Sequence, residues 1–114
     1  MKIDQETTKK IQELQILEQN LQALSIQKQT FQIELTEVLN ALSDLKKSGE
    51  EVYKIVGSLM VRSNKADLAS DLEEKKKIFE LRISSIEKQE KLLEEKAEKL
   101  KKEITNFVSG NKDN

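Results

Sequence analysis

The groups that could carry chemistry in this chain are almost all charged. Lysine and arginine number 20 and aspartate and glutamate 21 in 114 residues, leaving a net charge of −1. Their spacing points to helix support rather than catalysis. Glu73–Lys77, Glu87–Lys91, Glu95–Lys99 and Glu98–Lys102 set an acid four residues before a base, worth about 0.2–0.5 kcal/mol per pair on a helix. Histidine and cysteine are absent, which removes the commonest general base and metal ligand, any disulfide and any thiolate nucleophile. No glycine-rich phosphate loop or carboxylate constellation replaces them. The chain is therefore not expected to be an enzyme, and neither a cofactor nor a metal is expected. Lys75-Lys76-Lys77 and Lys101-Lys102 are the basic clusters of the second stripe. Neighbouring acids neutralise both, so neither nucleic acid nor an anionic membrane is expected as a partner. No apolar run approaches the roughly 18–20 residues that cross a bilayer, and the amino terminus lacks a signal-peptide core. A cytoplasmic location is the expectation.

What remains is the chemistry of burial, and it is laid out with a strict period. Charged and apolar residues each make up 36%, and proline is absent, the composition of long helices. Over residues 4–47, apolar side chains recur three and four apart: Leu14, Leu17, Leu21, Leu24, Phe31, Leu35, Val38, Leu42 and Leu45, interrupted at Lys28. This is a coiled-coil seam. It continues weakly upstream through Ile3, Thr7 and Lys10. Ile11, Ile16, Ile26, Ile33 and Leu39 lie off the seam and are expected to widen it or to meet a neighbouring subunit, with exposed client contacts as the alternative. Residues 66–107 carry the second stripe, with Leu72, Phe79, Ile86, Leu93, Leu100 and Phe107 each seven positions on from the last. Its partner position reads Ala69, Lys76, Ile83, Glu90, Ala97 and Ile104, a mixed set. Residues 108–114 show no periodicity and are expected to fray. About 44 residues at 1.5 Å each give a helix of roughly 65 Å, and the second helix is nearly as long.

Between the stripes, Ser48-Gly49 is expected to stop the first helix with a left-handed glycine cap. Asn64, with Asp67 three residues on, reads as the N-cap of the second. Residues 52–62 lie between these signals. β-Branched and aromatic residues flank Gly57-Ser58, which predicts a hairpin closed by a two-residue turn. Val56 then faces Leu59, Lys54 faces Val61, and Tyr53 faces Arg62. Val52, Val56, Leu59 and Val61 fall on one face, and Tyr53, Ile55 and Met60 on the other. Two strands alone are marginal in water and expose unpaired edges. The hairpin, with Gly57 at its turn, is therefore the candidate assembly site. The expected fold is mainly α, a single domain over 1–114. It is a long antiparallel coiled-coil hairpin with a central β-hairpin that joins an intersubunit β-barrel or shared sheet.

Particular residues carry a family resemblance as well. They are Gln27-Lys28-Gln29, Val52-Tyr53-Lys54 with Gly57, Leu59-Met60-Val61-Arg62, Leu72-Glu73-Glu74-Lys75 and Ile86-Glu87-Lys88-Gln89-Glu90. Through them the chain resembles, over essentially its whole length, the β-class subunits of prefoldin, the archaeal and eukaryotic co-chaperone. A single central hairpin fits the β class, whereas the α class carries two. The resemblance implies a hetero-hexamer of two α and four β subunits, the partners being an α-class subunit and further copies of this chain. It also implies a double β-barrel body with six coiled coils hanging from it. Such assemblies hold unfolded client proteins between the coiled-coil tips without ATP and pass them to a group II chaperonin. Ser63 departs from the pattern, since relatives often continue the second strand with an apolar residue, and a shortened strand is expected.

In an antiparallel hairpin both chain ends share one end of the coiled coil. Apolar residues persist there while the seam weakens at Thr7 and Lys10. Ile3, Ile11, Leu100, Ile104, Phe107 and Val108 are accordingly the candidate client-binding residues, with completion of the seam as the competing role. Each such contact is worth roughly 1.5–3 kcal/mol when fully buried, so several tips on one body would supply affinity through avidity. A coiled-coil scaffold or tether without clients explains the heptads equally well, but it leaves the two-faced hairpin without a purpose.

Overall fold

Asp4 opens the first helix. The computed structural model describes residues 4–112, and in it the Thr7 amide donates to the Asp4 carboxylate at 2.7 Å, satisfying a first-turn N–H that has no partner within the helix. The Thr8 amide donates to the Asp4 carbonyl at 3.0 Å and starts the ladder. Helix α1 spans Gln5–Lys47, strands β1 and β2 span Glu51–Val56 and Leu59–Asn64, and helix α2 spans Lys65–Lys112. The fold is mainly α: two long antiparallel helices with a central two-stranded β-hairpin. Two compact units divide the contacts, one of Met1–Gln27 with Ser85–Asn114 and one of Lys28–Ser84.

In the first unit, Leu17, Ala97 and Leu100 form a buried cluster against which Leu14 and Leu93 pack. Ile86 and Thr7 are buried as well. Lys10 reaches Glu103 across the helix pair at 3.3 Å and Glu6 along α1 at 3.8 Å. Leu17 thus meets Ala97 and Leu100, while the earlier Lys10 meets the later Glu103, so the helices run antiparallel. In the second unit, Phe31 packs on Phe79 with ring centroids 6.2 Å apart. The Arg82 guanidinium lies over the Phe31 ring at 5.4 Å, an attraction of about 0.5–1 kcal/mol at a partly exposed site. Val38 and Leu45 complete the seam there. Lys76 and Glu90 are half-buried, so the mixed stripe keeps its geometry where it loses apolar character.

The hairpin has the expected register: Val56 pairs with Leu59, Lys54 with Val61 and Tyr53 with Arg62. Gly57 has φ of 62° while no non-glycine among the described residues has positive φ, which makes Gly57-Ser58 a type II′ turn matched to strand twist. The Asn64 cap also forms. The Asp67 amide donates to Asn64 Oδ1 at 2.8 Å, and Asn64 Nδ2 donates back to the Asp67 carboxylate at 2.8 Å.

Several expectations are corrected. Gly49 does not adopt a left-handed conformation. Instead the Ser48 hydroxyl donates to the Leu45 carbonyl at 2.8 Å, and the Lys65 ammonium donates to the Ser48 and Lys46 carbonyls at 3.0 and 3.4 Å. Ser63 does not shorten β2, because pairing with the buried Val52 carries the strand on to Asn64. Helix α2 continues past Phe107 to Lys112, so residues 108–112 are helical rather than a frayed tail. Gly110 inside a helix costs only about 0.5–1 kcal/mol, too little to end one already formed. Ile16, Ile26, Ile33 and Leu39 are exposed and do not widen the seam within this chain, whereas Ile11 is half-buried. The four expected i,i+4 pairs on α2 stay open, since exposed pairs gain little over hydration and lose side-chain entropy.

Removing the second cap by Asn64→Ala is expected to cost about 1 kcal/mol, seen as a lower denaturant midpoint at unchanged slope. The hydrogen bonds from Thr7 hold the Asp4 carboxyl below its ordinary 3.8. Its contribution is therefore complete above that unfolded value and is lost as pH falls through the lower folded one. An NMR titration of the Thr7 amide should show this transition, and Asp4→Asn should abolish it.

Candidate functional site

A hairpin built from Val, Ile, Tyr, Leu and Met would bury its side chains if the rest of the chain could cover them. Only Val52, at 8% exposure, is covered. It sits where β1 leaves the end of α1, beside Leu45 and Leu68. Further along, Ile55 is 74% and Met60 70% exposed, and Tyr53, Val56, Leu59 and Val61 are exposed too. Both faces of the sheet are thus open toward the turn. At the helix end, the Arg62 guanidinium forms an ion pair with Glu51 across the strands. The Tyr53 hydroxyl donates to the same carboxylate oxygen at 3.2 Å. Lys54 pairs with Asp71 of α2 at 4.0 Å, so charged groups fix the hairpin's base while apolar ones are presented beyond it. The Glu51 and Asp71 contacts carry no signal in sequence spacing, since each depends on the strand register or on the helix passing nearby.

The second set of candidates lies in the first unit. Leu100 belongs to the buried cluster with Leu17 and Ala97. Its burial favours the competing role, completion of the seam. Ile11, Ile104, Phe107 and Val108 are each half-buried, and Ile3 lies outside the described residues. Ile104 to Gly110 contains no charged side chain, so this stretch of α2 presents a neutral, partly apolar surface. Among the described residues, no group of acidic side chains could hold a metal ion, and no helix is long and apolar enough to cross a membrane.

Two antiparallel helices joined through an uncovered β-hairpin define a class of coiled-coil hairpin chains whose sheet is left open within the single chain. Residues 8–111 match the family model described as prefoldin subunit. The prefoldin β subunit of Thermococcus onnurineus (strain NA1) is 40% identical over 94 residues, covering 81% of each chain. That of Methanospirillum hungatei JF-1 is 36% identical over 101 residues, covering 87% of this chain and 84% of the relative. The crystal structure of the prefoldin β subunit from Thermococcus strain KS-1 superposes with a TM-score of 0.88 at 34% identity, covering 93% of this chain and 95% of that one. The chain belongs to the prefoldin family as a β subunit. Prefoldin subunits are non-enzymatic chaperone components, and membership implies a prefoldin complex with α subunits.

The uneven burial of the hairpin separates folding from assembly. For the chain alone, Val52→Ala is expected to cost about 1–3 kcal/mol, whereas Ile55→Ala should stay within roughly 0.5 kcal/mol of the parent. Urea unfolding of the two variants checks this contrast.

Proposed function

We propose that this chain is the β component of a cytoplasmic hetero-hexamer of two α and four β subunits. The hexamer captures non-native proteins at its coiled-coil tips without ATP and delivers them to a group II chaperonin. The observation that carries the assembly is the hairpin, whose apolar residues on both faces stay exposed in the single chain. Exposure of that kind is unfavourable unless other strands cover it, and a scaffold would need only a turn at this place. Tyr53, Ile55, Val56, Leu59, Met60 and Val61 are the assembly residues, with Val52 anchoring the hairpin and Gly57 setting its turn.

Client capture is assigned to Ile11, Ile104, Phe107 and Val108, with Ile3 beside them in sequence. Their half-burial supports this role, because a partly packed side chain can turn to a new apolar partner without opening the whole seam. Each contact is weak, and several subunits acting together raise the effective concentration. Release of any one contact stays fast, as transfer to a second chaperone requires.

The native mass of the purified chain, alone and mixed with an α-class prefoldin subunit, tests the assembly. A discrete hexamer on mixing is expected, and a monomer or dimer under both conditions would favour a scaffold. Within the hexamer, Phe107→Ser with Val108→Ser should lower suppression of client aggregation several-fold while leaving the native mass unchanged. Undiminished suppression would remove these residues from the site.

A further inference from the structure

The chain's only sulfur atoms are those of Met1 and Met60, since cysteine is absent. Met60 stands in β2 opposite Ile55, and the two are 70% and 74% exposed. By strand alternation Tyr53 and Arg62 share their face. That face is apolar at Ile55 and Met60 and polar at its base, where the Arg62 guanidinium is already engaged by Glu51. A thioether so placed is open to dissolved oxidants in the single chain, yet it belongs to the surface that the assembly reading above covers. Resting on that reading, we propose that Met60 is a reversible oxidation site: a peroxide marks the unassembled chain there, and the mark keeps it out of the complex.

The step balances with a peroxide as its only co-reactant. A sulfur lone pair attacks a peroxide oxygen, the O–O bond breaks and an S–O bond forms. Sulfur gives up two electrons, and hydrogen peroxide leaves as water. A dithiol reverses the change, ending as a disulfide with the oxygen released as water, the chemistry of methionine sulfoxide reductases. The sulfoxide puts a polar oxygen on what was a flexible apolar side chain. In the free chain that oxygen faces water and costs nothing. Once neighbouring strands cover the face it needs a hydrogen-bond donor, and Arg62 is spent on Glu51. Burial without a donor is unfavourable, and each oxidised copy brings the same penalty. The rest of the apolar hairpin surface does not respond in this way. Ile55, Val56, Leu59 and Val61 are hydrocarbon side chains, and the Tyr53 phenol is inert to a peroxide alone.

The full chain is treated with dilute hydrogen peroxide, checked for helical content by circular dichroism, and mixed with an α-class prefoldin subunit for a native mass. Sulfoxide at Met60, located by peptide mass, should leave the helical content unchanged and weaken assembly by more than about tenfold. Methionine sulfoxide reductase with a dithiol should restore it. For Met60→Leu, which leaves no sulfur on the hairpin, treatment should make no difference to assembly. Met60→Gln, which fixes a polar group there, should assemble poorly with no oxidant present. In the preformed complex Met60 should oxidise several-fold more slowly than N-acetylmethionine in the same tube, and in the free chain at close to its rate. Normal assembly of the sulfoxide chain, or equal oxidation rates in free chain and complex, would overturn the inference while leaving the assembly itself standing. Loss of assembly by peroxide-treated Met60→Leu would place the effect away from Met60 and overturn it too. Failure of the untreated parent to assemble would sink both readings.

Discussion

The strip of side chains shared by two helices is the constraint on which the rest of this molecule depends. A pair of helices can bury only what lies along their common line, and no described side chain here is completely buried. Stability accumulates contact by contact, from Leu17 against Ala97 and Leu100 in one unit to Phe31 against Phe79 in the other. A protein built this way has little interior in which to place a pocket, so its useful surfaces must lie on the outside. Exposed isoleucines such as Ile16 and Ile26 are spaced apart among uncharged glutamines. Single apolar residues so dispersed are ordinary features of a soluble surface. The hairpin differs because its apolar residues are contiguous.

Where a short-range period governed the structure, it could be read from the sequence. The seam positions recur every seven residues, and the hairpin register follows from one glycine and a two-residue turn, so both were accessible without coordinates. Even Lys76 and Glu90 stand where the stripe places them. Effects that depend on the chain returning to itself were hidden. A lysine at position 65 looks like any other in a charged sequence, and only the closed hairpin brings its ammonium to the end of α1. The end of α2 is equally hidden. Lost periodicity suggests termination, but periodicity reports packing rather than backbone conformation, and Ser109-Gly110 is no barrier to continuing.

The candidate sites were legible to different degrees. Alternation identified which hairpin residues share a face, yet it could not tell that Val52 would be covered and Val56 left open. That difference comes from proximity to the helix ends, where Leu45 and Leu68 stand. For Leu100 the sequence leaves two roles open, seam or surface, because the seam weakens opposite it at Thr7 and Lys10. In fact the cluster with Leu17 persists that far, and the exposed character begins only beyond it. Position along a sequence was a poor guide to burial in both cases.

The bonds from Lys65 to the carbonyls of Lys46 and Ser48 have a mechanical meaning. They tie the first residue of α2 to the end of α1, closing the base of the loop like a clasp. The exposed Lys54–Asp71 pair, at 4.0 Å, adds little to this, so the bonds from Lys65 are what braces the hairpin on its two connections. A flap would have to surrender its orientational freedom on docking, whereas a braced hairpin has already surrendered it during folding. Preorganisation of this kind strengthens association without adding a single contact at the joint. In the assembly proposed for this chain, such stiffness would be set inside each subunit, before any partner arrives.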